Sequence, residues 1–355
     1  MLNLAILLSF FVFIVAEPTK LYDNLVYTKV SDVDGFIVEE SYKRIRKVKD
    51  EFKVNPEIFN PAYTVKNEEY LDPSINANII DELTRKSNGY ATYGHNKFAY
   101  IPVAQFNKKY MSPVNMRTIL PSHKSEIFDS TLLSSNNFEN ETYFNWMEHN
   151  VVAEVKDQGA CGSCWAFSAT GCMEGQYAIK HKKLVSFSEQ ELVDCDDTDN
   201  GCNGGLPTNA FEKIKVLGGI EAETQYPYHP YKTMCMFTKK KIIAVVKSDY
   251  VIEKNENVLK KVLRQVGPIS IGINADSLQF YTGGIHNPTN CDPYMLDHGV
   301  LIVGYGTEII NSKNVDYWII KNSWGTGWGE KGYFRMLRGT NKCGIIEMAS
   351  MVVLE

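Results

Sequence analysis

From Leu2 to Val15 every position is apolar except Asn3 and Ser9, and Ala16 then precedes Glu17-Pro18. An apolar run of about 14 residues is shorter than the roughly 20 that cross a bilayer and has the length of a secretory leader. Residues 1–16 are therefore predicted to be a signal peptide cut near Ala16. No later run reaches the ~18 apolar residues of a membrane span, so the processed chain is expected to be soluble, without stable membrane insertion. Residues 41–53, SYKRIRKVKDEFK, predict an exposed amphipathic helix, and Ile75 to Leu83 predicts another after Pro73. The Ser- and Asn-rich stretch 120–137, LPSHKSEIFDSTLLSSNN, predicts a linker.

From Trp146 onward the texture changes. Gly162 to Lys180 predicts a helix in which Trp165, Ala169, Cys172 and Met173 share one apolar face. Further helices are expected at Ser188–Asp194, Pro207–Leu217 and Asn257–Gln265. The pattern then turns to strand at Pro268–Asn274, Gly299–Tyr305, Asp316–Lys321 and Gly332–Leu337. Helices followed by strands predict an α+β architecture with a cleft between two subdomains.

Composition changes this picture in two ways. A net charge of −5, with Lys239-Lys240-Lys241 as the longest basic run, argues against nucleic acid as a partner. All 8 cysteines lie after residue 160. In a chain with a leader, that clustering predicts disulfides in an oxidising compartment. Asn140-Glu141-Thr142 is a glycosylation sequon, so Asn140 is expected at the surface.

The candidate chemistry starts from a hairpin. If Gly299–Tyr305 and Asp316–Lys321 pair about a turn centred near residue 310, His298 meets Asn322 at its open end. An Asn amide there would accept a ring N–H and fix the imidazole's orientation. Cys164 falls in the first turn of a predicted helix, where free N–H groups and the helix dipole favour a thiolate. A thiolate beside an imidazolium is a nucleophile with a general acid next to it. The backbone N–H of Cys164 and the side-chain amide of Gln158 would supply two donors to an oxyanion. Cys161-x-x-Cys164 also has the spacing of a redox motif, but as a zinc site it lacks a second ligand pair.

The segment from Gln158 to Ser168, QGACGSCWAFS, resembles the nucleophile region of papain-like cysteine proteases, most closely the cathepsin L-like branch. Three more segments match in order: Gly201-Cys202-Asn203-Gly204-Gly205, Asp297-His298-Gly299-Val300 and Lys321-Asn322-Ser323-Trp324-Gly325. The resemblance implies a papain-like two-subdomain fold, helical on one side and an antiparallel β-barrel-like sheet on the other, with the active-site cleft between. It implies Cys164 as nucleophile, His298 as acid/base, Asn322 as orienting residue, Gln158 as oxyanion donor and Trp324 as a shield over the His–Asn bond. It implies Gly204, Gly205, Leu206, Pro207, Gly272, Gly299 and Met348 along the substrate cleft, with a preference for Leu, Val or Phe two residues before the scissile bond (P2). It also implies disulfides Cys161–Cys202, Cys195–Cys235 and Cys291–Cys343, leaving Cys172 a buried inert thiol.

By the same resemblance the chain is a preproenzyme: leader 1–16, inhibitory propeptide 17–139 and peptidase domain 140–355. It would be a monomeric endopeptidase without cofactor or metal, acting on proteins and peptides in the lysosome, another acidic compartment or outside the cell. The propeptide diverges. Gly94-His95-Asn96-Lys97-Phe98-Ala99-Tyr100 resembles the family's G-x-N-x-F-x-D motif, but Tyr100 stands where Asp is expected.

Overall fold

A computed structural model describes residues 74–134, 138 and 140–355; the leader and the helix expected at 41–53 lie outside them. Six α-helices follow in chain order: α1 (Ala77–Ser87), α2 (Val103–Tyr110), α3 (Cys164–His181), α4 (Glu189–Cys195), α5 (Pro207–Leu217) and α6 (Glu256–Gln265). The strands are β1 (Ala91–Tyr93), β2 (Glu126–Ile127), β3 (Phe144–Asn145), β4 (Val246–Val251), β5 (Ile269–Ile273), β6 (Tyr281–His286), β7 (His298–Ile310), β8 (Lys313–Lys321), β9 (Tyr333–Leu337) and β10 (Ala349–Leu354). They form one ladder in the order β1-β6-β9-β8-β7-β5-β10-β4-β2, with β3 also on β7. The ladder is an open path, mostly antiparallel, with β6–β9 and β2–β4 parallel.

Helix α3 is the central element. Trp165, Ala166, Ala169, Cys172 and Met173 are all buried, so its first half is apolar on more than the single face predicted. A helix apolar all round belongs inside a core, and α3 packs on β7, β10 and α5. Helix α5 starts at Pro207, whose missing N–H is no loss at the first position, and ends at Gly218 in the left-handed region. Helix α6 buries Leu259, Val262 and Leu263 on one face. The three disulfides implied above are formed, and Cys164 and Cys172 are free and buried.

Three expectations need correcting. The β7–β8 hairpin turns at Asn311-Ser312, both at positive φ as a two-residue turn of this type requires. Its centre therefore falls between those residues, not at 310. A register shift between Ile302 and Gly304 then slides the open end of the hairpin. Segment 120–137 is more than a linker, because Glu126 and Ile127 pair in parallel with Tyr250 and Val251. Finally, α2, β1, β4, β6 and β10 were not predicted. Strands β1 and β6 carry too few alternating apolar residues to declare themselves, and pairing with neighbours defines them.

Candidate active site

Cys164 is the first residue of α3, and the chain reaches it through a tight approach. The Gly162 N–H donates to the Cys202 carbonyl at 2.9 Å, beside the Cys161–Cys202 disulfide. A Cβ at Gly162 would lie 2.6 Å from that carbonyl oxygen and 2.8 Å from the oxygen of Met111. Only glycine fits there. Ser163 precedes the helix without capping it, since its hydroxyl pairs with Tyr228 Oη at 2.7 Å.

His298 opens β7 and sits opposite Ile273 of β5. Its Nε2 and the Asn322 Oδ1 are 2.8 Å apart. The pair meets although the turn is later than expected, because Asn322 lies just past the end of β8 and its side chain spans the offset. The Trp324 ring stacks on the imidazole, 4.6 Å between centroids and 29° between planes. Both residues are fully buried, which excludes water from the His–Asn bond. The Ser323 hydroxyl donates to Gln158 Oε1 at 2.6 Å, and the Gln158 N–H donates to the Ser323 carbonyl at 2.8 Å. Sequence reasoning did not single out Ser323, yet this side chain ties Gln158 to the Asn322 loop.

Cys164 lies against the residue after His298. A Cβ on Gly299 would stand 3.1 Å from the Cys164 carbonyl oxygen. His298 Nδ1 is buried with no hydrogen-bond partner, so the thiol and the imidazole are not hydrogen-bonded here. Burial pushes the Cys164 thiol up to about 12, against an opposing pull from the Gly299 backbone N–H. Burial also pushes His298 down to about 4, with the Asn322 hydrogen bond opposing. In this covered state burial disfavours the charged form of both groups.

Residues 141–353 match the model of the papain family cysteine protease. The chain belongs to the papain family of cysteine proteases. It is 43% identical over 292 residues to cathepsin F of Drosophila melanogaster, covering 79% of this chain and 45% of that one. Cathepsin F of Mus musculus is 42% identical, with 58% of it covered; the chain thus spans about half the length of these two relatives. The digestive procathepsin L2 proteinase from Tenebrio molitor larval midgut has the same fold, with a TM-score of 0.73 and 31% identity over 89% of this chain and 99% of that one. The α+β papain-like fold expected from the sequence is the fold of this chain.

Residues 96–116 pack over this site. Phe98 and Phe106 meet Trp324 edge-on, with centroids 5.7 and 5.2 Å away, and Tyr110 stacks on Phe106. The chain then runs past Gln158 and Gly162. The Gln158 Nε2 donates to the Tyr110 carbonyl at 2.9 Å and to the Cys161 carbonyl at 2.8 Å. Ser112 N–H donates to the Asp297 carbonyl at 2.8 Å and Met116 N–H to the Leu296 carbonyl at 2.7 Å. On the opposite wall Gly204, at φ +98°, leaves the space that the Ser112 hydroxyl occupies. The spacing of Phe106 and Tyr110 by four residues suits a helix but does not point to Trp324 or Gln158 as partners. Only Phe98 was flagged, through its motif. Asn96 holds that motif in place by donating to the Gln279 carbonyl at 2.8 Å and accepting from the Phe98 N–H at 2.9 Å. Tyr100 is 38% exposed and rests near the His95 ring.

Among the expected cleft residues, Gly272 faces Met348. A Cβ there would be 3.1 Å from Met348 Sδ and 3.4 Å from Leu296. A Cβ at Gly205 would instead press on Trp165 and Asp199, so that glycine serves packing. Leu206 is buried at the start of α5, with its N–H directed to the Asp199 carboxylate at 3.2 Å.

Burial raises Glu191 to about 8 and Asp199 and Asp297 to about 7. Their folded forms keep a proton that the unfolded chain has released by neutral pH. This contribution is complete below the ordinary carboxylate range and is lost as pH rises toward 7–8. Buried His298 and His286, the latter pushed down to about 3, act the other way, but only below their ordinary value of about 6.5. The protease is therefore expected to show a falling Tm between pH 6.5 and 8, measured by calorimetry. A flat or rising Tm over that window would show that these carboxyls are ionised in the fold.

Proposed function

We propose that the chain is the zymogen of a cysteine endopeptidase, with residues 1–16 as leader, 17–139 as inhibitory prosegment and 140–355 as the processed enzyme. One observation carries the reading: buried His298, held by Asn322 and roofed by Trp324, keeps an unpartnered Nδ1, and the next residue, Gly299, packs on the Cys164 backbone at the start of α3. Once the segment over the site leaves, the Cys164 proton passes to Nδ1. The thiolate attacks the peptide carbonyl, forming the S–C bond while the oxygen takes up the electron pair. The N–H of Cys164 and the amide of Gln158 hold that oxyanion, the role for which Gln158 is freed when Tyr110 withdraws. Collapse breaks the C–N bond, and His298 protonates the leaving amine. Water, deprotonated by His298, then cleaves the thioester. Each oxyanion donor contributes about 3–4 kcal/mol by analogy with measured cases. Two further proposals belong to the processed enzyme: carbohydrate on Asn140, which is exposed, and action as a monomer in an acidic compartment or outside the cell.

Substrate preference follows from Gly272 over apolar Met348, with Leu206, Pro207 and Gly299 in the same cleft. Processed protein is expected to hydrolyse a fluorogenic dipeptide with Leu at P2 roughly 10–200-fold faster in kcat/KM than one with Arg there. Equal rates would overturn the pocket assignment, and hydrolysis of neither, in a folded protein, would overturn the peptidase reading.

Tyr100 gives the propeptide motif no carboxylate to titrate. Release from the site is thus proposed to depend on cleavage by another protease near residues 136–140. Purified zymogen held at pH 4–5 is expected to stay full length over hours by gel; rapid self-processing with Cys164 intact would contradict this.

A further inference from the structure

Segment 120–128 is fixed to the protease domain at both ends. The Ser122 N–H donates to Asn209 Oδ1 at 2.7 Å, and the Asn209 amide donates to the Leu120 carbonyl. Downstream, Glu126 and Ile127 pair with β4, and the Phe128 N–H donates to the Val251 carbonyl at 2.9 Å. His123 is held between these anchors, half-buried. Its Nε2 lies 3.0 Å from each carboxylate oxygen of Asp249 on β4. Glu212 of α5 brings a third donor, and one ligand atom from each of the three residues lies within 4.8 Å of the others. The Ser125 hydroxyl adds an oxygen 2.7 Å from Asp249 Oδ2 and 3.2 Å from His123 Nε2. Among the described residues the carboxylate of Glu212 has one cation nearby, Lys215 at 3.7 Å and well exposed.

We propose that His123, Asp249 and Glu212 form a binding site for a divalent transition cation of the zinc class. One imidazole and two carboxylates suit such a cation, whose bonds to nitrogen and oxygen are about 2.0–2.2 Å. A nitrogen ligand disfavours calcium and magnesium, which take oxygen sets. Nitrogen and oxygen atoms 3.0 Å apart already stand near the separation of adjacent ligands on such an ion, so filling the site needs mainly the Glu212 side chain to turn inward. Water would complete the shell. Because His123 comes from the N-terminal segment and both carboxylates from the protease domain, the cation staples one to the other and is lost with the segment. That last consequence rests on the zymogen reading above, whereas the site itself does not.

The test uses full-length protein carrying Cys164→Ala, which leaves buried Cys172 as the one free thiol and keeps the chain intact. Titration with zinc chloride in a calorimeter is expected to give one site per chain and to raise Tm. His123→Ala and Glu212→Gln are each expected to weaken binding by about tenfold or more, since even outer-shell changes at metal sites cost 10–100-fold. Both variants should keep the metal-free Tm within a few degrees, because the anchors at Asn209 and β4 remain. No saturable binding at high-micromolar zinc would overturn the proposal, as would a site unaffected by both substitutions. Either failure leaves hydrolysis by the processed wild-type enzyme as it was, so the two readings fail separately.

Discussion

Replacing Cys164 with alanine is expected to lower kcat by roughly 10⁶-fold, the scale of nucleophile deletion in other hydrolases that act through an acyl-enzyme. The reason lies in the absence of any substitute. Cys172 is the other free thiol, and it is buried 0% exposed with its Sγ directed to the Pro268 carbonyl at 3.3 Å. Burial holds it neutral, at about 12. His298 alone has no atom to deliver to the carbonyl. The fold should survive, because the change removes one sulfur from the first turn of a helix whose packing is carried by Trp165, Ala169 and Met173; a small-cavity cost of about 1 kcal/mol is expected. Covalent labelling by an epoxide or vinyl sulfone should disappear together with hydrolysis, while the circular dichroism spectrum is unchanged. Residual activity above about one per cent in a folded variant would mean another group attacks.

The reactivity of that same sulfur is expected to rise at least about 10-fold at pH 7 when the N-terminal segment is removed. A thiol at about 12 is ionised to roughly one part in 10⁵ at neutral pH. Ion-paired cysteines of this kind titrate near 3–4, so opening the site would ionise it almost completely. Intrinsic nucleophilicity falls as pKa falls, with a slope of about 0.4–0.5, which returns roughly three to four of the five decades gained. Access adds to what remains, since Cys164 is 0% exposed beneath residues 110–112. Iodoacetamide rates on zymogen and processed protein measure this directly. In the zymogen the rate should climb tenfold per pH unit through neutrality; in the processed form it should be flat above pH 5. Parallel profiles would show that the segment does not control ionisation, and the proposed inhibition would rest on steric blockage alone.

Much of the site was legible because it is local in sequence. Gly162 before a helix start, the Asp297-His298-Gly299 and Asn322-Ser323-Trp324 strings, and Pro207 and Gly218 at the ends of α5 each carry their meaning within a few residues. The hairpin argument found the right pair from a wrong centre. Two-fold symmetry about a turn is insensitive to small errors when the residues at the open end have long side chains. What the pattern missed was cover. Phe106, Tyr110 and Ser112 matter only through what they touch about 50 to 220 residues away, and no periodicity in their own segment encodes those partners.

The chain's own order of residues was thus enough to specify the family, the helix that presents Cys164, the α+β architecture and the candidate acid/base pair, because backbone propensity and motif spacing are short-range properties. The tertiary structure alone decided how deeply the pair is buried. It places an aromatic layer on Trp324 and a peptide carbonyl on the Gln158 amide. The resulting loss of water disfavours the charged forms of sulfur and imidazole, and desolvation is a property of everything packed around a group rather than of the group's neighbours in sequence.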